Sequence, residues 1–293
     1  MNRGTIGLLP RTPTLEDESY LAFMESLRNH NIRAMFPNIM GFADAADADS
    51  RPYTRLWKRL MRSQQQQTWQ KIQDSYAQRR AHYEAELDAA ERSRPDRLHY
   101  DPNFEVPKYA TLDIHLQPGG YCGDSLAGYV FHHGTKVFYQ GDNDQDQLHR
   151  QVVELIATPE DGTVQRVLDL GCTAGHNTLP WKETYPNAEV FGIDVAAPCL
   201  RFAHARARSI GAAVDFQQMN AGQLRFPDGS FDIVFSSMFL HEIPKKETPQ
   251  ILREAYRVLR PGGLMLHMEL PPATQLSPYD SFQLDWDGHY NNE

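Results

Sequence analysis

The sequence predicts an α/β protein: a doubly wound, mostly parallel sheet preceded by a helical and aromatic N-terminal cap region. Three observations predict it. From Gln147 onward, short apolar runs alternate with amphipathic helical stretches, the pattern of a parallel sheet with crossover helices. Residues 53–92 contain neither Pro nor Gly and carry an apolar stripe at helical spacing. Between the two, residues 101–146 are dense in Gly, His and aromatic residues and too apolar for disorder. The division falls at residue 146, with a cap region over 1–146 and a ligand-binding domain over 147–293.

Along the chain, residues 1–48 hold one short helix, Leu15 to Asn29. Ala43 to Ser50, small and acidic, reads as a linker or surface loop. Ser50 as N-cap and Pro52 in the first turn then start a long helix. Its stripe is Trp57, Leu60, Met61, Trp69, Ile72, Tyr76, Tyr83 and Leu87. The run is too long for one ordinary helix, so a break or hairpin is expected. The stripe packs against the chain's own second domain, or against a second copy in a homodimer; packing within the chain is the favoured reading. Pro95 ends the helix. Residues 101–146 read as an ordered cap or lid without regular helix. Thereafter helices are expected at 147–158, 175–184, 197–210 and 246–259. Strands are expected at 164–170, 188–194, 213–218, 230–236 and 263–269.

Composition excludes several functions. The 293 residues hold 29 basic and 38 acidic side chains, a formal charge of -9, which disfavours DNA as a partner. Residues 51–97 are locally basic, with 11 basic against six acidic side chains. They read as a solvated helix face, the alternative being a docking arm for a protein or RNA acceptor. Cys122, Cys172 and Cys199 form neither a metal nor a disulfide pattern, so a reducing, cytoplasmic setting is expected. No run is long enough to span a bilayer, and Ile6–Leu9 is too short for a signal peptide, so no membrane partner is expected.

Ligands of parallel sheets bind at the carboxyl ends of the strands. After the first expected strand, in VLDLGCTAG (167–175), Gly171 and Gly175 allow a tight turn and close approach of a ligand. A helix opening at Gly175 would aim its N–H groups at a carboxylate or phosphate, and Asp169 would serve an ammonium nearby. Asp194 follows the second strand, 19 positions beyond Gly175, an offset suited to ribose hydroxyls. After the third come Asn220 and Ala221, whose amide groups suit an adenine edge. The implied ligand has a carboxylate, an ammonium, a ribose and an adenine. A nicotinamide dinucleotide fits worse, since Thr173 and His176 stand where its fingerprint needs glycines.

VLDLGCTAG, VFGIDV (190–195), Met219-Asn-Ala221, FPDGSFDIVFSS (226–237) and LREAYRVLRPGG (252–263) together resemble the class I S-adenosylmethionine-dependent methyltransferases, particularly the quinone-biosynthesis C-methyltransferases. The resemblance covers residues 147–270 and implies a Rossmann-like fold. It implies S-adenosyl-L-methionine as cofactor, with the Gly171–Gly175 loop, Thr173 included, around its methionine part. Asp169 would hold its amino group, Asp194 its ribose, Val195 would pack on the adenine, Asn220 and Ala221 would read the adenine edge, and Ser236 would lie beneath the methionine moiety. Thr173 replaces a family glycine, so ordinary backbone angles are expected there. The terminal sixth and seventh strands of the family sheet are absent from the pattern. The exposed edge of the fifth strand is therefore a second candidate for a homodimer contact.

The implied activity is methyl transfer to a small aromatic or apolar metabolite. His241, just past the fourth strand, is the candidate base, its alternative being a structural histidine; Glu242 is the second candidate. The cap supplies Tyr129, His132, His133, Phe138 and Tyr139, of which Tyr139 is placed near the cofactor. His132 and His133 point to different sides, and no metal site is expected. Other readings are a scaffold protein that retains the fold, and a protein or RNA methyltransferase docking through 51–97.

Overall fold

A computed structural model describes residues 13–38, 41, 45–139, 143, 146–270, 275–276 and 281–282. Helix α1 (Leu15–His30) starts in a capping box: Thr14 Oγ1 accepts from Asp17 N–H, and Asp17 accepts from Thr14 N–H. Asp17 also takes the Ser75 hydroxyl and pairs with Lys71 at 2.7 Å. Burial pushes the Asp17 carboxyl up, but these partners outweigh it and hold it at about 2. One carboxylate thus both caps α1 and anchors it to α3 (Pro52–Ala77).

The segment read as a linker is partly helical: Ala45–Ser50 form α2. The expected N-cap also shifts by one. Ser50 closes α2 by donating to Asp47 O, and Arg51 caps α3 with Pro52 in its first turn. The expected break falls at Gln78–Arg79, and α4 (Arg80–Ser93) stops before Pro95. Most of the apolar stripe packs within the chain. Trp57 and Met61 meet Phe36 and Phe282, while Trp69, Ile72, Tyr76, Tyr83 and Leu87 meet Tyr129 and Phe202. Leu60 stays 38% exposed.

Within the Gly- and His-rich stretch, where no regular helix was expected, lies α5 (Ala127–Phe138). Its two glycines disguised it, because glycine weakens a helix. Both are required by packing: a Cβ at Gly134 would lie inside the Trp69 ring, and one at Gly128 would collide with Phe202.

The second half carries α6 (Gln147–Leu155), α7 (Thr178–Thr184), α8 (Ala197–Ser209) and α9 (Thr248–Val258). Its strands are β2 (Arg166–Leu170), β3 (Glu189–Asp194), β4 (Val214–Gln218), β5 (Phe231–Ser237) and β6 (Leu259–Met268). A two-residue strand β1 (Leu98–His99), too short to signal itself in sequence, joins the edge beside β4. The order is β1-β4-β3-β2-β5-β6, and every pairing among the described residues is parallel. β6 begins four residues before the expected strand, through a bulge opposite Phe231 and Ile233. No strand among the described residues pairs with its outer edge. Much of the chain's C-terminal stretch lies outside the described residues, as do residues 1–12 with Ile6–Leu9.

Alternation sorts the strand residues between two faces. Val167, Val190 and Ile233 face α7 and α8, whereas Leu168, Phe191 and Val234 face α9. Helix α8 is buried twice over. Leu200, Ala203 and Ala207 meet the sheet side; Phe202 and Ala205 meet the cap helices. Because order reverses at β2, with β3 on one side and β5 on the other, a cleft opens at its carboxyl end.

Candidate functional site

A cavity of about 270 Å³ occupies that cleft, walled on one side by strand ends and on the other by the cap. β2 delivers Asp169 to it, 2% exposed. Burial pushes the Asp169 carboxyl up to about 7, against the pull of the Thr178 hydroxyl that donates to it at 2.6 Å. At the end of β3, Asp194 accepts Thr173 N–H on one oxygen and Ala196 N–H on the other, both at 2.9 Å. Each oxygen keeps a lone pair for a hydroxyl donor. Burial raises this carboxyl also, to about 6. One buried and one partly buried acid, both with raised pKa, in one cavity mark a site built for a cationic or hydroxyl-rich ligand.

The loop between them departs from expectation in two ways. Thr173 does not take ordinary angles: its φ is +45°. The cost of this left-handed backbone is offset by the bond to Asp194 and by one from its own hydroxyl to Gly171 O. Nor does a helix open at Gly175. Its φ of +72° is incompatible with a helix, the turns continue to Asn177, and α7 starts at Thr178. Gly171 does need to be glycine, with φ +66° and Phe239 packed where a Cβ would stand.

The structure gathers Asp169, Gly171, Thr173, Asp194, Val195, Tyr139 and His241 around the cavity. It leaves Gly175, Asn220, Ala221 and Ser236 outside the wall. Asn220 Oδ1 accepts from Gly222 N–H, Ala221 packs in the core under α9, and Ser236 Oγ lies 2.7 Å from His267 Nδ1. Tyr129 is buried among the cap helices with its hydroxyl on Glu86. His132 meets His176, and its neighbour His133 turns to Tyr76. Phe138 lines the cavity.

Several residues escaped the sequence reading. Glu269, just past β6, accepts Phe239 and Leu240 N–H on one oxygen and faces His241 Nδ1 at 2.7 Å with the other. Burial raises the Glu269 carboxyl, yet His241 and the two backbone donors outweigh it and hold it below its ordinary value. It is therefore ionised, which assigns the proton to His241 Nδ1 and the basic lone pair to Nε2. Glu242, the second candidate base, is engaged by the cap: its Oε1 lies 3.0 Å from His115 Nε2 and accepts from the Tyr121 hydroxyl at 3.3 Å. These bonds hold the cap segment 108–122 across the cavity. His149, His176 and Asn177 complete the wall near the loop. No group of three or more His, Cys, Asp or Glu side chains among the described residues is arranged to hold a metal.

Such a switch-point cavity, with an acid at the end of each of two adjacent strands, defines a doubly wound α/β domain that binds a small ligand. Comparison with known proteins narrows the class: residues 167–263 match the family described as a methyltransferase domain, and over this segment the chain is similar to class I S-adenosylmethionine-dependent methyltransferases. A demethylmenaquinone methyltransferase of Thermus thermophilus is 41% identical over 108 residues, covering 37% of this chain and 48% of the relative. A ubiquinone/menaquinone biosynthesis C-methyltransferase of Desulfotalea psychrophila is 32% identical over 143 residues, 48% of this chain and 54% of the relative. A fatty-acid O-methyltransferase of Mycolicibacterium smegmatis is 30% identical over 141 residues, 47% of this chain and 50% of the relative. The chain spans about half the length of the curated relatives it matches. No helix among the described residues is long and apolar enough to cross a membrane.

Proposed function

We propose that the protein transfers a methyl group from S-adenosyl-L-methionine to a small aromatic or apolar acceptor. The observation that carries the proposal is the convergence of Asp169, Asp194 and the His241–Glu269 pair on one cavity capped by aromatic side chains. The donor set fits the cofactor. Asp169 suits its ammonium, and Asn177 Oδ1, buried without a partner in the chain, adds a second acceptor. Asp194 suits the ribose hydroxyls, and Val195 the adenine face. The parts given to Gly175, Asn220, Ala221 and Ser236 rest on the motif resemblance alone.

When bound, S-adenosyl-L-methionine supplies an electrophilic methyl group on a sulfonium. The protein's contribution is alignment, exclusion of water and a base. Tyr109, Tyr121, Phe131 and Phe239 line the cavity and exclude water. His241 Nε2 takes the acceptor's proton from oxygen, nitrogen or an activated carbon. Glu269 is a positioning residue that fixes the imidazole tautomer and favours its protonated form. In this reading residues 1–146 shape the acceptor pocket and 147–293 hold the cofactor.

Calorimetric titration with S-adenosylmethionine and S-adenosylhomocysteine tests it, followed by assay against phenolic and apolar acceptors. Micromolar binding is expected, and Asp194→Ala should weaken it more than tenfold. A folded chain that binds neither nucleoside overturns the reading. Binding without turnover on any acceptor turns it toward a scaffold that kept the fold.

A further inference from the structure

The wall of the cavity beside the glycine loop holds a histidine whose chemistry is fixed by groups remote from any ligand. Asn143 Oδ1 accepts from Leu148 N–H at 3.0 Å, so its amide nitrogen must face the other way, where it meets His149 Nδ1 at 2.8 Å. The amide donates, so His149 Nδ1 is an acceptor and the ring proton sits on Nε2. The Asn143 carbonyl is tied in turn to the Lys136 ammonium at 2.7 Å. Lys136 pairs with Asp146, which also pairs with Arg206, and all three side chains are at most 1% exposed. Arg206 reaches back to the carbonyl of Ala174 in the glycine loop. A buried ionic cluster therefore fixes Asn143 and, through it, the orientation and tautomer of His149.

His149 stacks near His176, with ring centroids 5.1 Å apart. His176 is followed by Asn177 and then by Thr178, whose hydroxyl rests on Asp169. His149, Asn177 and Asp169 thus share one end of the cavity. That end presents two acceptors, Asp169 and Asn177 Oδ1, and a neutral N–H donor. An α-amino acid group asks for this set: acceptors for its ammonium and a donor for its carboxylate. Burial, with the Lys136 and Arg206 charges, pushes the His149 imidazole down to about 4 despite Asp146, so it stays a neutral donor at physiological pH.

We propose that His149 Nε2–H binds the carboxylate of the cofactor's amino-acid tail and makes the site select nucleosides that carry that carboxylate. This rests on the cofactor reading above. Asn143 is the positioning residue of the pair. Clipped or decarboxylated nucleosides, which keep the adenine and ribose contacts, would be discriminated against at this single hydrogen bond.

The test is calorimetric titration with S-adenosylhomocysteine and with its decarboxylated analogue, which keeps the amine. The intact chain is expected to bind the carboxylated ligand at least tenfold more tightly, as a hydrogen bond to a charged group allows. His149→Phe keeps the stacking and removes the donor. It should bring the two affinities within about twofold while leaving the decarboxylated ligand's affinity unchanged. His149→Gln, which restores an N–H donor, should recover part of the ratio. If His149→Phe keeps the tenfold preference, or weakens both ligands equally, the assignment is overturned while the cofactor reading stands. If the intact chain binds neither nucleoside, the cofactor reading falls and this inference falls with it.

Discussion

Asp169 and Asp194 make the unliganded protein sensitive to pH in an unusual direction. Their carboxyls titrate at about 7 and about 6 in the folded chain, against the ordinary 3.8. The folded state therefore holds protons that the unfolded state has released over this interval. Their protonation favours the native state fully below about pH 4, and that contribution is lost as pH rises through 6 and 7. Thermal melting of the unliganded chain should show stability falling across this range, and Asp169→Asn should flatten the slope. An unchanged slope would show that these acids are not what titrates. The His241–Glu269 pair gives a kinetic expectation. Glu269→Gln should lower kcat tenfold or more with KM within about threefold, and His241→Ala should lower it further; a change confined to KM would remove the base assignment. Sequence showed the two aspartates because each stands at a fixed offset from a strand and a loop. It did not show Glu269 or the His115–Glu242 contact, whose partners lie 28 and 127 residues apart along the chain.

Single elements were legible where hydrophobic period and length agreed. β2 to β5 and α8 lie within two residues of the spans read from the sequence, since each is an uninterrupted apolar or amphipathic run. Helix α5 was hidden because Gly128 and Gly134 answer to neighbours rather than to helix propensity. The start of α7 was misplaced for a related reason: the backbone at Thr173 is set by Asp194, 21 residues away. Gly134→Ala weighs these influences against each other. Helix propensity alone favours Ala by about 1 kcal/mol. The collision with Trp69 should outweigh this and leave the variant less stable by about 1–3 kcal/mol in a denaturant melt. A stabilised variant would mean that the α3–α5 contact yields more easily than its packing suggests.

Across the whole molecule, the N-terminal half is not an appendage. One hydrophobic cluster joins Leu21, Trp69 and Tyr129 to Ala174 and Phe202, crossing from cap to ligand-binding domain through α8. Charge follows the same seam in both directions. Arg97 pairs with Asp215, whereas Asp88 and Glu91 of α4 receive Arg201 of α8; within the cap, Arg80 pairs with Asp124. The basic excess of residues 51–97 thus serves partly as internal docking. The succession of strands and helices was visible in the sequence as alternation, and the stripe of the long helix as a face packing within the chain, but the ion pairs that dock the cap were not, because they join side chains with no common spacing.

The two glycine contacts of α5 also bear on the tempo of the reaction. A helix keyed into Trp69 on one side and Phe202 on the other cannot slide to let a nucleoside out. The exit falls to the segment 108–122, which carries no long helix and is tied to the rest by polar bonds from Glu242, Gln65 and Gln73 as well as by packing of Tyr109, Leu116 and Tyr121. In the proposed reaction, letting go of the spent nucleoside should then be slower than methyl transfer itself. Rapid-quench turnover would show an initial burst of about one methyl group per chain and a slower steady phase, and Glu242→Gln would quicken the steady phase. A linear time course from the first turnover would place the slow step in the chemistry instead.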